Sequence, residues 1–395
     1  MMIAVTGTNG KTSTSFMLRA IFEQAGYKTG LIGTVRCLIG DREYRLPDDA
    51  TDADNLQTMT TPDPELLYRI LREMADEGVQ VVILEASSHA LALSKLDPIH
   101  FRGGIFTNLS PEHLDFHSNF EDYLSSKARL FSMCDIGVFN IDDIYVSHVM
   151  QKAPCRRVTC STTLASDYRA SEIEGRLLDG VEYKLVNRQR TFKIKSMIPG
   201  LFTVYNTLVA AAMALEMGVD FLTVKSALQK LPGVDGRLER VYLHGAPFSV
   251  FIDYAHTPEA MKNLIETVRG FCGDDQRIVV LFGCGGDRDK GKRAPMGKIA
   301  SKLGDFAIIT SDNSRSEPPA AIIRDIMQGV DKKRPHMVIE NRREAIEYTI
   351  KNARPGDVIL LVGKGHETYE INSSGKHPFN ERGIVEAAYR SRRQQ

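Results

Sequence analysis

Ile3-Ala-Val-Thr-Gly-Thr-Asn-Gly-Lys-Thr12 is the stretch that decides the fold. Ile3–Thr6 predicts a short strand. From Thr12 to Gly26, apolar residues recur at Phe16, Leu18, Ile21 and Phe22, close to the helical period. A glycine turn between a strand and a helix is the setting of a phosphate-binding loop. Gly7 and Gly10 let backbone N–H groups approach phosphate oxygens, and the helix N-terminus adds its positive end. Thr8 and Asn9 complete the loop, Lys11 can reach β- and γ-phosphates, and the Thr12 hydroxyl can sit on Mg²⁺. The spacing from Gly7 to Gly10 is shorter than in GxxxxGK[ST], so a turn of purely structural use is the competing reading; Gly-Lys-Thr at this junction favours the phosphate loop.

Outward from this loop the chain alternates strand and helix. Gly26 stops the first helix, Thr29–Thr34 reads as a strand, Asp63–Glu77 as a helix, and Val79–Leu84 as a strand buried on both faces. Gly104–Asn108 is a further strand. This rhythm means parallel βαβ units in an open α/β sheet. Residues 155–195 look different: Arg157–Thr159, Tyr168–Ile173, Val181–Leu185 and Thr191–Ile194 read as short antiparallel strands of a flap closing the first domain. Asn206–Met217 reads as a helix with Leu208, Ala211, Ala212 and Leu215 on one side.

Leu231-Pro-Gly-Val-Asp-Gly236 is the sharpest punctuation, which divides the chain into domains 1–232 and 233–395. The βαβ rhythm then resumes, with strands at Phe248–Asp253, Ile278–Phe282, Phe306–Thr310, Met337–Ile339 and Asp357–Val362. Helices start from Pro258, Pro295 and Pro319, and the C-terminal Ser-Arg-Arg-Gln-Gln reads as a frayed helix. The expected fold class is α/β: a P-loop ATPase-like domain with a mostly parallel sheet, followed by a Rossmann-like domain.

Length and composition agree. A chain of 395 residues exceeds the ~250–300 at which single cores stop growing. Fifty basic residues balance fifty acidic ones, so a nucleic-acid or membrane surface is not expected. No stretch reaches the ~20 apolar residues of a membrane span, and the N-terminus lacks the pattern of a signal peptide. Six cysteines without a CxxC pair read as reduced thiols of a cytoplasmic protein. A monomer acting on small molecules is expected.

Polar clusters then fall at the ends of predicted strands. Glu85 ends Val79–Leu84 and is either a Mg²⁺ ligand beside the loop or a surface residue. His113, Asp115 and His117 alternate after another strand and could turn toward one cation, although isolated histidines are more often surface or hydrogen-bonded core residues than ligands. In the second half, Asp253-Tyr-Ala-His256, Gly283–Arg293, Asp312-Asn-Ser-Arg315 and Gly363-Lys-Gly-His-Glu367 each follow a strand. Such a series at the carboxyl ends of parallel strands lines a ligand site.

Taken in order, these motifs, with Glu-Ala-Ser-Ser-His89 and Thr107–His117, closely resemble the Mur ligase family in its MurE-type branch, which adds the third peptide residue in peptidoglycan synthesis. The resemblance covers nearly the whole chain and implies ATP and Mg²⁺. It implies that Lys11 and Thr12 serve the γ-phosphate and metal, with Glu85 and His113 as further ligands. It also implies that Lys127, by composition an exposed helical lysine, is carbamylated and holds a second Mg²⁺. Asn206, Arg237, Asp253 and His256 would take the nucleotide, and Thr60, Thr61, Ser88 and Lys95 the acyl substrate. Arg288, Asp312, Asn313, Arg315, Gly363 and Glu367 would take meso-diaminopimelate, whose distal carboxylate suits an arginine fork.

Departures bear on the acyl acceptor. Relatives of this type carry an N-terminal domain of roughly a hundred residues that holds the uridine diphosphate, whereas this sequence starts at the ATP domain. Ser314 stands where the family has proline, Lys95 where it has arginine, and Met59 where it has asparagine. The leading expectation is an amide ligase adding a diamino acid to a peptide carboxylate through an acyl-phosphate. A Mur-like ligase using an acceptor without UDP is the alternative, and a non-enzymatic ATP-binding protein is the third.

Overall fold

The computed structural model describes residues 1–44, 60–110, 116–175, 180–187, 190–273 and 275–394. Contacts divide them into two compact units, one spanning residues 1–175, 180–197 and 201–232, the other 233–394 with 198–200.

The first unit is built on β1 (Met2–Thr6), β2 (Thr29–Ile32), β3 (Cys37–Ile39), β4 (Arg42–Glu43), β5 (Val81–Glu85), β6 (Phe101–Phe106), β7 (Cys134–Asn140), β8 (Arg156–Ser161), β9 (Tyr168–Gly175), β10 (Val181–Asn187) and β11 (Thr191–Ser196). Among the described residues they form one sheet in the order β11-β10-β9-β8-β7-β6-β1-β5-β2-β3-β4. β1 lies between β5 and β6, parallel to both, with Val5 opposite Glu85 and Thr6 opposite Phe106. The loops after β1, β5 and β6 therefore leave the same edge of the sheet, the edge at which α/β sheets take ligands. β5 (Val-Val-Ile-Leu-Glu) is buried at every residue, as expected for a parallel strand covered on both faces.

Two expectations for this unit are corrected. The 155–195 segment is not an antiparallel flap. β8 pairs parallel with both β7 and β9, and only β9–β10–β11 run antiparallel, so the segment extends the main sheet. Strand β7, which joins it to that sheet, had hidden in the apolar run after Phe131, too short to be told from a helix turn by periodicity. The helix expected at 206 starts at Leu201 and runs to Glu216. It is not one-sided, because everything from Asn206 to Ala214 is buried. A Cβ added to Gly103 of β6 would lie 2.4 Å from Met213 Sδ, which shows how closely this Ala-rich helix seats on the sheet.

The second unit holds β12 (Glu239–Val241), β13 (Ser249–Asp253), β14 (Ile278–Phe282), β15 (Phe306–Ile309), β16 (His336–Val338) and β17 (Val358–Val362), ordered β12-β13-β17-β14-β15-β16. All pairings are parallel except β12–β13. Asp253, Val362, Phe282 and Ile309 are in register, so the polar loops behind β13, β17, β14 and β15 share one edge. Helices Pro258–Phe271 and Pro319–Met327 begin at their prolines, whereas Arg293–Leu303 starts before Pro295, which falls in the first turn where its missing N–H costs nothing. A hairpin of β18 (Tyr369–Asn372) and β19 (Gly375–Pro378) and helices Arg342–Lys351 and Glu381–Arg392 were not anticipated beyond a frayed end. Among the described residues no helix is long and apolar enough to cross a membrane.

Candidate active site

The loop Gly7–Gly10 is shaped by close approach. Gly7 has φ 143°, and a Cβ there would lie 1.9 Å from Thr107 Oγ1. Gly10 has φ 86°, and its Cβ would meet Asn206 Oδ1 at 2.5 Å. Only glycine fits either place. Asn206, assigned to the nucleotide, thus sits directly against the loop from the buried helix Leu201–Glu216. The loop after β6 braces it: the Thr8 amide donates to Asn108 O at 2.8 Å, the Asn9 amide to Asn108 Oδ1 at 2.9 Å, and Thr107 Oγ1 to Asn9 O at 2.7 Å. Tyr123, which the sequence reading missed, shares a 2.9 Å hydrogen bond with Thr8 Oγ1. Helix Lys11–Gln24 has no side-chain cap, which leaves its first-turn N–H groups directed at the loop.

Charged residues gather around this loop. Lys11 Nζ donates to Gly7 O and Thr8 O, both at 2.9 Å. Lys127 Nζ donates to the same Gly7 O at 2.9 Å and lies 4.6 Å over the Tyr123 ring. Composition suggested an exposed lysine at 127, but the side chain is only 1% exposed. Burial of Tyr123, Leu124, Ser126 and Ala128 on the same short helix turns it inward. The surface reading of Glu85 also fails. It is fully buried, accepting from Thr12 Oγ1 at 3.0 Å, Thr34 Oγ1 at 2.9 Å and the Thr34 amide at 3.3 Å. Thr34 is a second residue missed in sequence, where it was only the end of a strand.

Mg²⁺ takes oxygen donors in near-octahedral geometry. The Thr12 hydroxyl and Glu85 carboxylate, adjacent and buried at the strand edge, are donors of that kind. Among the described residues no group of three or more His, Cys, Asp or Glu side chains is arranged to hold a metal ion. His113 and Asp115 lie outside the described residues, as does Met59. His117 is buried among the rings of His89, Phe116 and Tyr123, with Nδ1 3.6 Å from Asp122 Oδ2, which suits a core histidine.

The acyl-substrate group divides. Thr61 Oγ1 donates to Glu85 O at 2.7 Å and accepts from the Ser87 amide, while Thr60 Oγ1 accepts from Thr34 Oγ1 at 3.0 Å. Both therefore flank Glu85. Ser88 is buried, with its Oγ making no hydrogen bond among the described residues. Lys95 is ion-paired to Asp63.

In the second unit, Asp253 Oδ2 accepts from the Leu238 amide at 2.7 Å and Oδ1 from the Ala255 amide at 2.8 Å. Burial raises the Asp253 carboxyl, against the pull of Arg237. Arg237 lies 5.2 Å from the centre of the Tyr254 ring, and the His256 ring packs edge-on at 4.8 Å from the same centre.

The remaining residues converge behind β14, β15 and β17. Asn313 Nδ2 donates to Glu367 Oε2 at 2.7 Å. A Cβ on Gly363 would lie 2.7 Å from Asp312 Oδ2. Arg315, at φ 51°, donates from Nη1 to Gly286 O at 2.9 Å and Asn313 O at 3.3 Å, and its amide donates to Ile371 O at 3.1 Å. Arg288 is exposed, its Cγ 3.7 Å from a Cβ placed on Gly285, where Arg315 Nη1 is at 3.0 Å. Burial opposes ionisation of Asp312, but Lys364 and Arg342 outweigh it and hold its carboxyl below the ordinary range. Burial and the neighbouring Asp312 push Glu367 up. Behind the loops, buried Arg293 clamps Glu317 at 2.8 Å and holds that carboxyl down at about 2.

Comparison with known proteins bears on both units. Residues 5–214 match the Mur ligase middle domain, and residues 236–365 the Mur ligase glutamate ligase domain. The UDP-N-acetylmuramoyl-L-alanyl-D-glutamate–2,6-diaminopimelate ligase of Caldanaerobacter subterraneus subsp. tengcongensis is 44% identical over 386 residues, covering 97% of this chain and 77% of the relative. The ligase of the same name from Clostridium botulinum is 39% identical over 98% of this chain and 77% of its own. A solved structure of such a ligase superposes with a TM-score of 0.71 at 31% identity, covering all of this chain and 79% of that one. A pseudomurein peptide ligase type C from Methanothermus fervidus, at 17% identity and a TM-score of 0.66, shares the fold. With both domain types matched and relatives this similar along nearly its full length, the chain belongs to the Mur ligase family.

Proposed function

We propose that this protein is an ATP-dependent ligase that joins an amino group of meso-diaminopimelate to a peptide carboxylate through an acyl-phosphate, as the names of its relatives indicate for the acceptor UDP-N-acetylmuramoyl-L-alanyl-D-glutamate. The observation that carries this reading is the convergence of Lys11 and Lys127 on Gly7 O, beside the buried Thr12–Glu85 pair. Residues 1–232 form the ATP-binding domain of the proposal and 233–395 the amino-acid-binding domain. The compact units, which part after Pro232, support that division.

The placement of the described residues supports the proposed roles. The loop amides and Lys11 bind the phosphates and neutralise charge developing on the transferred group. Asn206 borders the nucleotide beside Gly10, and Arg237, Asp253 and His256 are the remaining nucleotide residues of the proposal. Thr12 and Glu85 would hold Mg²⁺, with His113 and Lys127, as its carbamate, as further ligands. When bound, the metal would supply charge neutralisation at the phosphoryl oxygens. Thr60, Thr61, Ser88 and Lys95 orient the acyl carboxylate. Arg315 grips the distal carboxylate of the amino acid, while Asp312, Asn313, Gly363, Glu367 and Arg288 surround its other groups. The substrate carboxylate oxygen attacks the γ-phosphorus, ADP leaves, the amine attacks the acyl carbon, and phosphate departs with that oxygen. The protein acts as a cytoplasmic monomer on small molecules.

Phosphate release, measured with ATP and a matrix of acyl acceptors and amino acids, tests the reading. Turnover with UDP-muramoyl-dipeptide and meso-diaminopimelate is expected. Turnover confined to simpler acyl peptides would move the protein to another pathway, and no turnover with any pair would remove the enzymatic reading.

A further inference from the structure

Lys364 lies inside the Gly363–Glu367 loop, is fully buried, and has no role in the assignments above. Its Nζ donates to Asn313 Oδ1 at 2.8 Å and Tyr369 O at 3.0 Å, and lies 3.3 Å from Asp312 Oδ1 and 3.9 Å from Glu367 Oε2. Asn313 Oδ1 also accepts from the Ile371 amide at 2.9 Å. With two donors on its oxygen, the Asn313 amide has only one orientation, and Nδ2 must face Glu367 Oε2 at 2.7 Å.

We propose that Lys364 is the positioning residue of the amino-acid site, fixing the Asn313 amide and leaving the Asp312–Glu367 pair with one net negative charge to receive the ammonium of a zwitterionic amino acid. The inference rests on the functional reading above. Two buried carboxylates without a cation repel and take up a proton. Two with one lysine retain a single charge for the ligand. Lys364 reaches the hairpin at Tyr369 O, its partner Asn313 reaches it at the Ile371 amide, and Ile371 O accepts the Arg315 amide, so the fork for the distal carboxylate and the acidic end for the ammonium share one anchor.

Among the described residues, the groups facing Asp312 and Glu367 are Lys364 from the β17 loop, Arg342 from the helix Arg342–Lys351, Arg315 from the β15 loop, Cys284 from the β14 loop, Tyr254 from the β13 loop and Tyr369 from the hairpin. Arg342 is engaged with Glu381 at 2.7 Å, so Lys364 is the cation that titration of the pair responds to most directly.

The test compares the full-length wild type with Lys364→Met and Lys364→Gln, using meso-diaminopimelate as variable substrate and thermal melting as a check on folding. Both variants are expected to melt cooperatively and to raise the amino-acid KM roughly 10–100-fold, the loss of one charge-assisted bond, with the ATP KM within about twofold. Gln, which keeps one donor to Asn313, should recover part of the loss. The acid limb of kcat/KM for the amino acid should move to higher pH in both. An unchanged amino-acid KM and acid limb would overturn the proposal, as would equal loss for ATP and amino acid or a variant that fails to fold, since either makes Lys364 merely structural. An inactive wild type would instead overturn the ligase reading itself.

Discussion

Arg315→Ala is expected to convert a selective site into an indifferent one. In the structure Nη1 is occupied by Gly286 O and Asn313 O at 2.9 and 3.3 Å, and the backbone, at φ 51°, donates its N–H to Ile371 O. Among the described residues the Nε and Nη2 side makes no hydrogen bond, which is the edge that takes a carboxylate bidentately. Each charge-assisted bond contributes about 1.5–3 kcal/mol, so losing two should lower kcat/KM for meso-diaminopimelate by roughly 100-fold or more. Lysine has the same distal ammonium and no distal carboxylate, so its kcat/KM should change by less than about threefold. The assay is phosphate release with each amino acid at saturating ATP, with the ATP KM measured in parallel. Equal losses for the two amino acids, or unchanged selectivity, would refute the placement of the distal carboxylate on Arg315.

Three further outcomes are expected. Glu85→Gln keeps the shape of a group that accepts from Thr12 and Thr34 but removes its charge, so the Mg²⁺ concentration for half-maximal phosphate release should rise about tenfold or more; an unchanged Mg²⁺ dependence would exclude Glu85 as a ligand. Arg342→Met leaves buried Glu381 without its partner at 2.7 Å, at a cost of about 3–5 kcal/mol, and should lower Tm by roughly 6–20 °C in calorimetry; an unaltered Tm would show the pair to be dispensable. Burial and Asp312 raise the Glu367 carboxyl, and ammonium binding needs it ionised. Activity with the amino acid should therefore fall, as pH drops, at a pH above that at which an ordinary glutamate titrates, and Glu367→Gln should abolish that limb along with most of the activity.

The sheet edges were legible where a buried parallel strand is a continuous aliphatic run followed by a quoted polar motif; Ile278–Phe282 and Val358–Val362 are of this kind. The junction of β8 with the main sheet was not legible, because Arg156–Ser161 alternates as an edge strand would, and pairing direction leaves no trace in periodicity. Burial of Glu85 and Lys127 was equally hidden. Both are charged residues whose inward orientation depends on partners distant in sequence, Thr34 and the carbonyl of Gly7. Lys364 lay in plain view between two glycines, yet its contacts with Asn313 and Tyr369 exist only once β15, β17 and the hairpin have come together.

Isotope transfer tests the central claim most directly. An acyl acceptor carrying ¹⁸O in the reacting carboxylate, incubated with ATP, Mg²⁺ and meso-diaminopimelate, should yield inorganic phosphate with one ¹⁸O for each amide formed, because the bridging oxygen of an acyl-phosphate leaves with the phosphate. Unlabelled phosphate, or ADP formation uncoupled from the amide, would contradict the account.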